Sequence, residues 1–85
     1  MQDNLKKEVK KEVKRNGFIY RMEVLNDGET KIYKIYFGPN EKEMILYGSY
    51  QVENEAEWIF GALSECDKRR INKIYYLKKV IEGIL

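Results

Sequence analysis

Histidine is absent from this 85-residue chain, and with it goes the side chain whose ordinary pKa suits proton transfer near neutrality. Triads built on imidazole are thereby excluded. The single cysteine, Cys66, can close no disulfide within the chain and cannot make a thiolate zinc site; it is expected as a small core residue on a helix. No glycine-rich phosphate loop occurs, and no carboxylates are spaced as in a calcium loop. Neither an enzyme nor a bound cofactor or metal is expected. Long apolar runs are missing too, none nearing the ~18 to 20 residues that span a bilayer. The opening Met1-Gln2-Asp3-Asn4 leads into lysines rather than an apolar segment, which is not a secretory leader. A cytoplasmic, intracellular protein without a membrane partner is therefore expected.

What the chain does contain is core material, with 44% apolar residues beside 35% charged. That is enough for one compact α+β domain spanning residues 1–85 and too little for two. The net charge of +2 hides a segregation. Residues 1–15 carry six basic and three acidic groups, and residues 16–50 carry four and five. Residues 51–67 have five acidic groups and no basic one, whereas 68–85 have six basic and one acidic. Both ends are basic and the middle is acidic.

Leu5, Val9 and Val13 recur every four residues among lysines and glutamates, a helical spacing with a thin apolar stripe. The reading is a short basic helix over residues 1–16, partly frayed, closed by Asn16-Gly17 as a C-cap. From Phe18 the period becomes two. Asp27-Gly28 suits a two-residue hairpin turn, which pairs Asn26 with Glu29 and puts Phe18, Tyr20, Met22 and Val24 on one face opposite Phe37, Ile35, Tyr33 and Lys31. Gly38-Pro39-Asn40 breaks the second strand, and a third, Met44–Tyr50, pairs Phe37 with Met44, so that Met44, Leu46 and Gly48 join the core face. The sheet predicted over residues 18–50 is thus a three-stranded antiparallel meander.

Helices are predicted over residues 53–85. Ala56, Ile59, Phe60 and Leu63 mark one side of the first, with Asn54 as its N-cap, and Trp58 lies off the stripe. Glutamates 53, 55 and 57 fall where the helix dipole favours negative charge. The second pattern is Ile71, Ile74, Leu77, Ile81 and Ile84 or Leu85. The two faces are in phase, so a single helix about 45 Å long is geometrically possible, but Ser64 and Asp67 have capping-box spacing and favour a break over residues 64–67. The order is α-βββ-α-α.

The stretch Tyr47-Gly48-Ser49-Tyr50-Gln51-Val52-Glu53-Asn54-Glu55-Ala56-Glu57, ending the meander and opening a helix, resembles the strand-to-helix junction of the AP2-like DNA-binding fold and of the amino-terminal domains of phage-type integrases. The resemblance covers residues 18–63. It implies one sheet face packed on the helix and the other facing a DNA groove. That groove-facing surface would offer Arg21 and Lys34 among Ile19, Leu25, Ile32, Tyr36, Ile45 and Tyr47, which is sparse in cations for a phosphate-rich partner.

Seven tyrosines supply contact area at low rotamer cost. The leading expectation is accordingly a non-catalytic protein-binding module, a small regulator or inhibitor of phage or mobile-element type. Its protein partner would meet Ile19, Ile32, Tyr36, Ile45 and Tyr47 on the outer sheet face. The alternative is a DNA-binding accessory protein of AP2-like architecture using Arg21, Lys34, Lys68, Arg69, Arg70 and Lys73. A third is a homodimer or larger homo-oligomer built on an unbroken C-terminal helix. Tyr75 and Tyr76 are placed at the edge of that helix's packed face.

Overall fold

A computed structural model describes residues 6–84, the side chain of Ile84 excepted. The expected Leu5 contact and the Leu85 position in the last helical stripe lie outside the described residues. The chain forms a four-stranded antiparallel meander in the order β1-β2-β3-β4, followed by two helices. Strands β1 (Lys6–Arg15), β2 (Phe18–Asn26), β3 (Lys31–Gly38) and β4 (Ile45–Tyr50) precede α1 (Glu53–Ser64) and α2 (Lys68–Ile84), with a 3-10 turn at Glu41–Glu43.

The predicted N-terminal helix is a strand instead. Asn16 and Gly17 both adopt positive φ, 55° and 80°, which is the conformation of a tight hairpin turn between right-twisted strands. They join β1 to β2 rather than capping a helix. Tertiary pairing overrides a local period that one thin stripe could not enforce. Lys10 is unpaired in the ladder between Val9↔Glu23 and Lys11↔Met22, a bulge that shifts the alternation by one. Val13 consequently shares the core face with its partner Tyr20, while Val9 shares the opposite face with Glu23.

The β2–β3 register differs from expectation by two residues. Asn26 pairs with Lys31 and Tyr20 with Phe37, because Asp27 closes a four-residue loop rather than a two-residue turn. Its carboxylate accepts from the backbone N–H of Glu29 (3.0 Å) and Thr30 (2.9 Å), and Gly28 takes φ of 95°. An even shift leaves every side chain on its predicted face. The β3–β4 register is off by one, with Phe37 opposite Ile45 rather than Met44, and that reverses faces. Ile45 is buried in the core, Leu46 faces out, and Met44 precedes the strand. A second irregularity leaves Tyr47 unpaired and returns Gly48 to the core face opposite Ile35.

Both helices lie on one sheet face, where Tyr20, Met22, Ile35, Phe37, Phe60, Leu63, Ile71 and Tyr75 share the core. Val52, not Asn54, occupies the N-cap of α1 and makes no side-chain bond there. The break expected over residues 64–67 is present, and Asp67 caps α2 by accepting from the Arg70 N–H at 2.9 Å. Ser64 donates to Gly61 O rather than capping α2. The β1–β2 turn holds this junction: Arg15 donates to Ser64 O (3.2 Å) and Asn16 to Cys66 O (3.1 Å). Cys66 is half-buried in the junction, not a core residue on a helix.

Candidate docking surface on the helix layer

The outer sheet face retains Ile19, Ile32 and Tyr36 of the expected patch, all half-buried, and no described element covers it. Ile45 and Tyr47 are not part of it. Ile45 is buried beneath the helices, and Tyr47 leans into the helix layer, its ring edge-on to Phe37 and 5.2 Å from the Lys78 ammonium. The face is also tied across by charge. Arg21 reaches Glu12 at 2.8 Å and grips both carboxylate oxygens of Glu41 at 2.7 Å, while Lys7 approaches Glu23 at 3.5 Å. The hydrogen bonds that Arg21 donates to Glu41 and Glu12 hold its pKa above its ordinary value. A guanidinium so engaged is poorly placed to meet phosphate. Lys34, opposite Glu23 in the ladder, is half-buried on the same face.

Neither sheet edge invites another strand. β1 presents a row of lysines and glutamates, and β4 is short and bulged, its Tyr47 carbonyl accepting from Lys78 Nζ at 3.2 Å. Charge and bulges at an edge oppose strand addition.

Exposed apolar surface collects instead on α1 and α2. The stripe of α2 is wider than the sheet can cover: Ile71 and Tyr75 are buried, but Leu77, Val80 and Ile81 are each more than half exposed. Leu77 and Ile81 had been expected in the packed face, and Tyr75 at its edge. Tyr75 turns inward because its ring meets Phe18 and Phe37 edge-on and its hydroxyl donates to Glu43 at 3.0 Å; Tyr76 stays outside. Trp58 is 75% exposed. It stands at an open groove of about 320 Å³ shared by Tyr47, Ile59, Ala62, Cys66 and Ile74, with Arg70 the one charged residue in its walls. Leu77 and Ile81 continue from Arg70 and Ile74 along the same side of α2 by helical spacing, so groove and stripe form one surface.

Lys68, Arg69, Arg70 and Lys73 are all exposed on the first turns of α2. Asp67 caps this end and no acid lies in the first turn itself, so the cations share the positive end of the helix dipole with one capping carboxylate. Of the residues read from sequence as binding candidates, Tyr47 and Arg70 line the groove, Lys68, Arg69 and Lys73 are exposed on the start of α2, Ile45 is buried in the core, and Ile19, Arg21, Ile32, Lys34 and Tyr36 lie on the outer sheet face. Trp58, Leu77, Val80 and Ile81 were missed as surface residues. The signal was available in Trp58, which falls off its helix's apolar stripe, and in the width of the α2 pattern. Among the described residues no group of His, Cys, Asp and Glu could hold a metal ion, and no helix is long and apolar enough to cross a membrane.

No protein-family model, curated protein or solved structure matches this chain.

Proposed function

We propose that this protein is a small non-catalytic protein-binding module, a regulator or inhibitor of the kind encoded by phages and mobile elements, that engages its partner through the exposed face of α1 and α2. One observation carries the reading. Of the eight large apolar side chains exposed among the described residues, Trp58, Tyr76, Leu77, Val80 and Ile81 lie on these two helices. Contiguous apolar surface of this kind marks a docking site rather than ordinary solvent-facing structure. The outer sheet face, tied by Arg21 and Glu23, is the weaker candidate.

The test is a pair of double variants. Leu77→Asp with Ile81→Asp alters side chains that the core does not use, so circular dichroism and melting should stay near wild type. Proteins retained by the immobilised wild-type chain from host lysate should be lost on this variant and kept on Ile32→Asp with Tyr36→Asp. The reverse pattern would return the site to the outer sheet face. DNA binding of AP2-like type is a second reading, favoured by the exposed Lys68, Arg69, Arg70 and Lys73 cluster. It requires duplex affinity that falls steeply with salt and loses slope when these residues are neutralised.

A further inference from the structure

We infer that the partner segment met by α2 is an amphipathic helix with carboxylates at one end and large apolar side chains at the other. The inference rests on the docking role proposed for the helix layer and adds the chemistry of what docks there. Two rows of side chains, set by the three- and four-residue spacing of a helix, lie on the exposed side of α2. One is Arg69, Lys73, Tyr76 and Val80, all four exposed. The other is Arg70, Ile74, Leu77 and Ile81, of which Ile74 alone is half-buried. Each row begins in a cation and ends in apolar groups, so the surface is divided end to end, charge over the first turns and hydrocarbon over the last. Adjacent rows of this kind bound the groove into which a second helix packs. The second row also passes Trp58, which shares an open groove with Arg70 and Ile74.

Charge names the acidic end of the partner. Arg69, Arg70 and Lys73 take part in none of the ion pairs among the described residues. Glu82, the one acid within α2, falls by helical spacing in the row of the buried Ile71 and Tyr75, away from both exposed rows. Asp67 is occupied in capping the helix, and Glu65 enters none of those ion pairs either. Carboxylates from outside are favoured at this end of α2 by the helix dipole as well as by the cations. The apolar half excludes other occupants. Nucleic acid would satisfy Arg69, Arg70 and Lys73 and leave Leu77, Val80 and Ile81 facing water or phosphate. A second copy of α2 fits in neither direction: laid parallel, cations face cations, and laid antiparallel, Arg69 and Arg70 are buried against Val80 and Ile81 without a counter-charge.

The experiment is selection on the immobilised whole chain from a displayed library of random peptides of about 16 residues, long enough as a helix to cover α2, and lacking tryptophan. The best-selected peptide is then titrated against the emission of Trp58, the chain's only tryptophan. Selected sequences should hold Asp or Glu in one half and Leu, Ile or Phe in the other, and binding should shift the emission to the blue. Arg69→Glu with Arg70→Glu, exposed positions at a helix start that accepts acids, should keep the fold, bind that peptide at least about tenfold more weakly and select basic peptides in its place. Leu77→Asp with Ile81→Asp should lose it altogether. Four results would overturn the proposal: no peptide selected, selected peptides without acidic enrichment, an acidic peptide held equally by the Arg69 and Arg70 variant, or a Trp58 shift produced instead by duplex DNA, by vesicles of anionic phospholipid or by self-association of the wild type. Should selection fail while lysate proteins are still lost on the aspartate variants of Leu77 and Ile81, the acidic and apolar chemistry falls and the docking role stands; should both fail, the docking role falls with it.

Discussion

At the scale of the residue, Tyr75 shows how one side chain joins the layers. Its ring packs edge-on to Phe18 and Phe37, tying α2 to β2 and β3, and its hydroxyl finds Glu43 beyond the end of β3. Burial and the hydrogen bond to that carboxylate push its pKa up to about 12 from an ordinary 10.0. The stability consequence has a definite sign. Below pH 10 the hydroxyl is protonated in folded and unfolded chains alike, and the bond to Glu43 contributes fully. Between about pH 10 and about pH 12 the unfolded chain releases this proton and the folded one keeps it, so stability falls as pH rises. Burial raises the pKa of Tyr20 and Tyr50 in the same direction. Comparing urea unfolding of wild type and Tyr75→Phe isolates the Tyr75 share. The wild type should lose more stability than the variant across that window, and its ultraviolet titration should contain a late component that the variant lacks. Equal losses and identical titrations would mean that Tyr75 ionises like an exposed tyrosine.

At the scale of the element, β1 is held to the helix layer by charge more than by apolar burial. Val13 is its one apolar side chain packed against the core, and it is only partly buried. The Lys10 bulge turns two consecutive lysines toward α1, where Lys10 meets Glu53 and Glu57 and Lys11 meets Glu57. The hydrogen bond and charge of Lys10 lower the Glu53 pKa, and those of Glu53 raise the Lys10 pKa. Glu53→Gln with Glu57→Gln should therefore speed amide exchange in β1 several-fold while leaving β3 unchanged, and moderate salt should do the same to wild type. Exchange in β1 indifferent to both would show that ladder hydrogen bonds alone fix the strand.

β1 is also where the sequence misled. Val9 and Val13, four apart with two lysines and a glutamate between, satisfy a helix. They satisfy a bulged strand as well, because the bulge converts an even spacing into opposite faces. The telling residues were Asn16-Gly17, whose two positive φ values suit a hairpin as well as a helix end. Period-two patterning located β2 and β3 correctly, and Asp67 marked the helix break. The faces of Ile45 and Tyr47 were not legible, since they depend on a one-residue slip and a bulge that side-chain alternation cannot reveal. Of the candidate site, the basic start of α2 was visible; the exposure of Leu77 and Ile81 was not, because an apolar stripe does not say how far its sheet extends.

At the scale of the whole molecule, the protein is elongated. Its principal extents are 42 × 28 × 19 Å and its radius of gyration is 13.6 Å, against about 12 Å expected for a compact chain of this length. The elongation and the unpaired apolar surface have a shared source in α2, which packs chiefly beside β4. Its Ile71 and Tyr75 are buried, but Tyr76, Leu77, Val80 and Ile81 beyond them are exposed. A chain of this size buries a limited core, and leaving this stripe wet forgoes stabilisation that a partner would restore. The unbroken C-terminal helix considered as an assembly element is absent, because the chain breaks between α1 and α2.

If the helix face and not the outer sheet is where the protein docks, a bound partner must perturb residues of α1 and α2. Backbone amide chemical shifts, followed while the protein retained from host lysate is added, locate the contact residue by residue. The shifts should move along Trp58, Ala62, Arg70, Leu77 and Ile81 while Ile19, Ile32 and Tyr36 stay fixed. Movement confined to Ile19, Ile32 and Tyr36, with the helices silent, would contradict it.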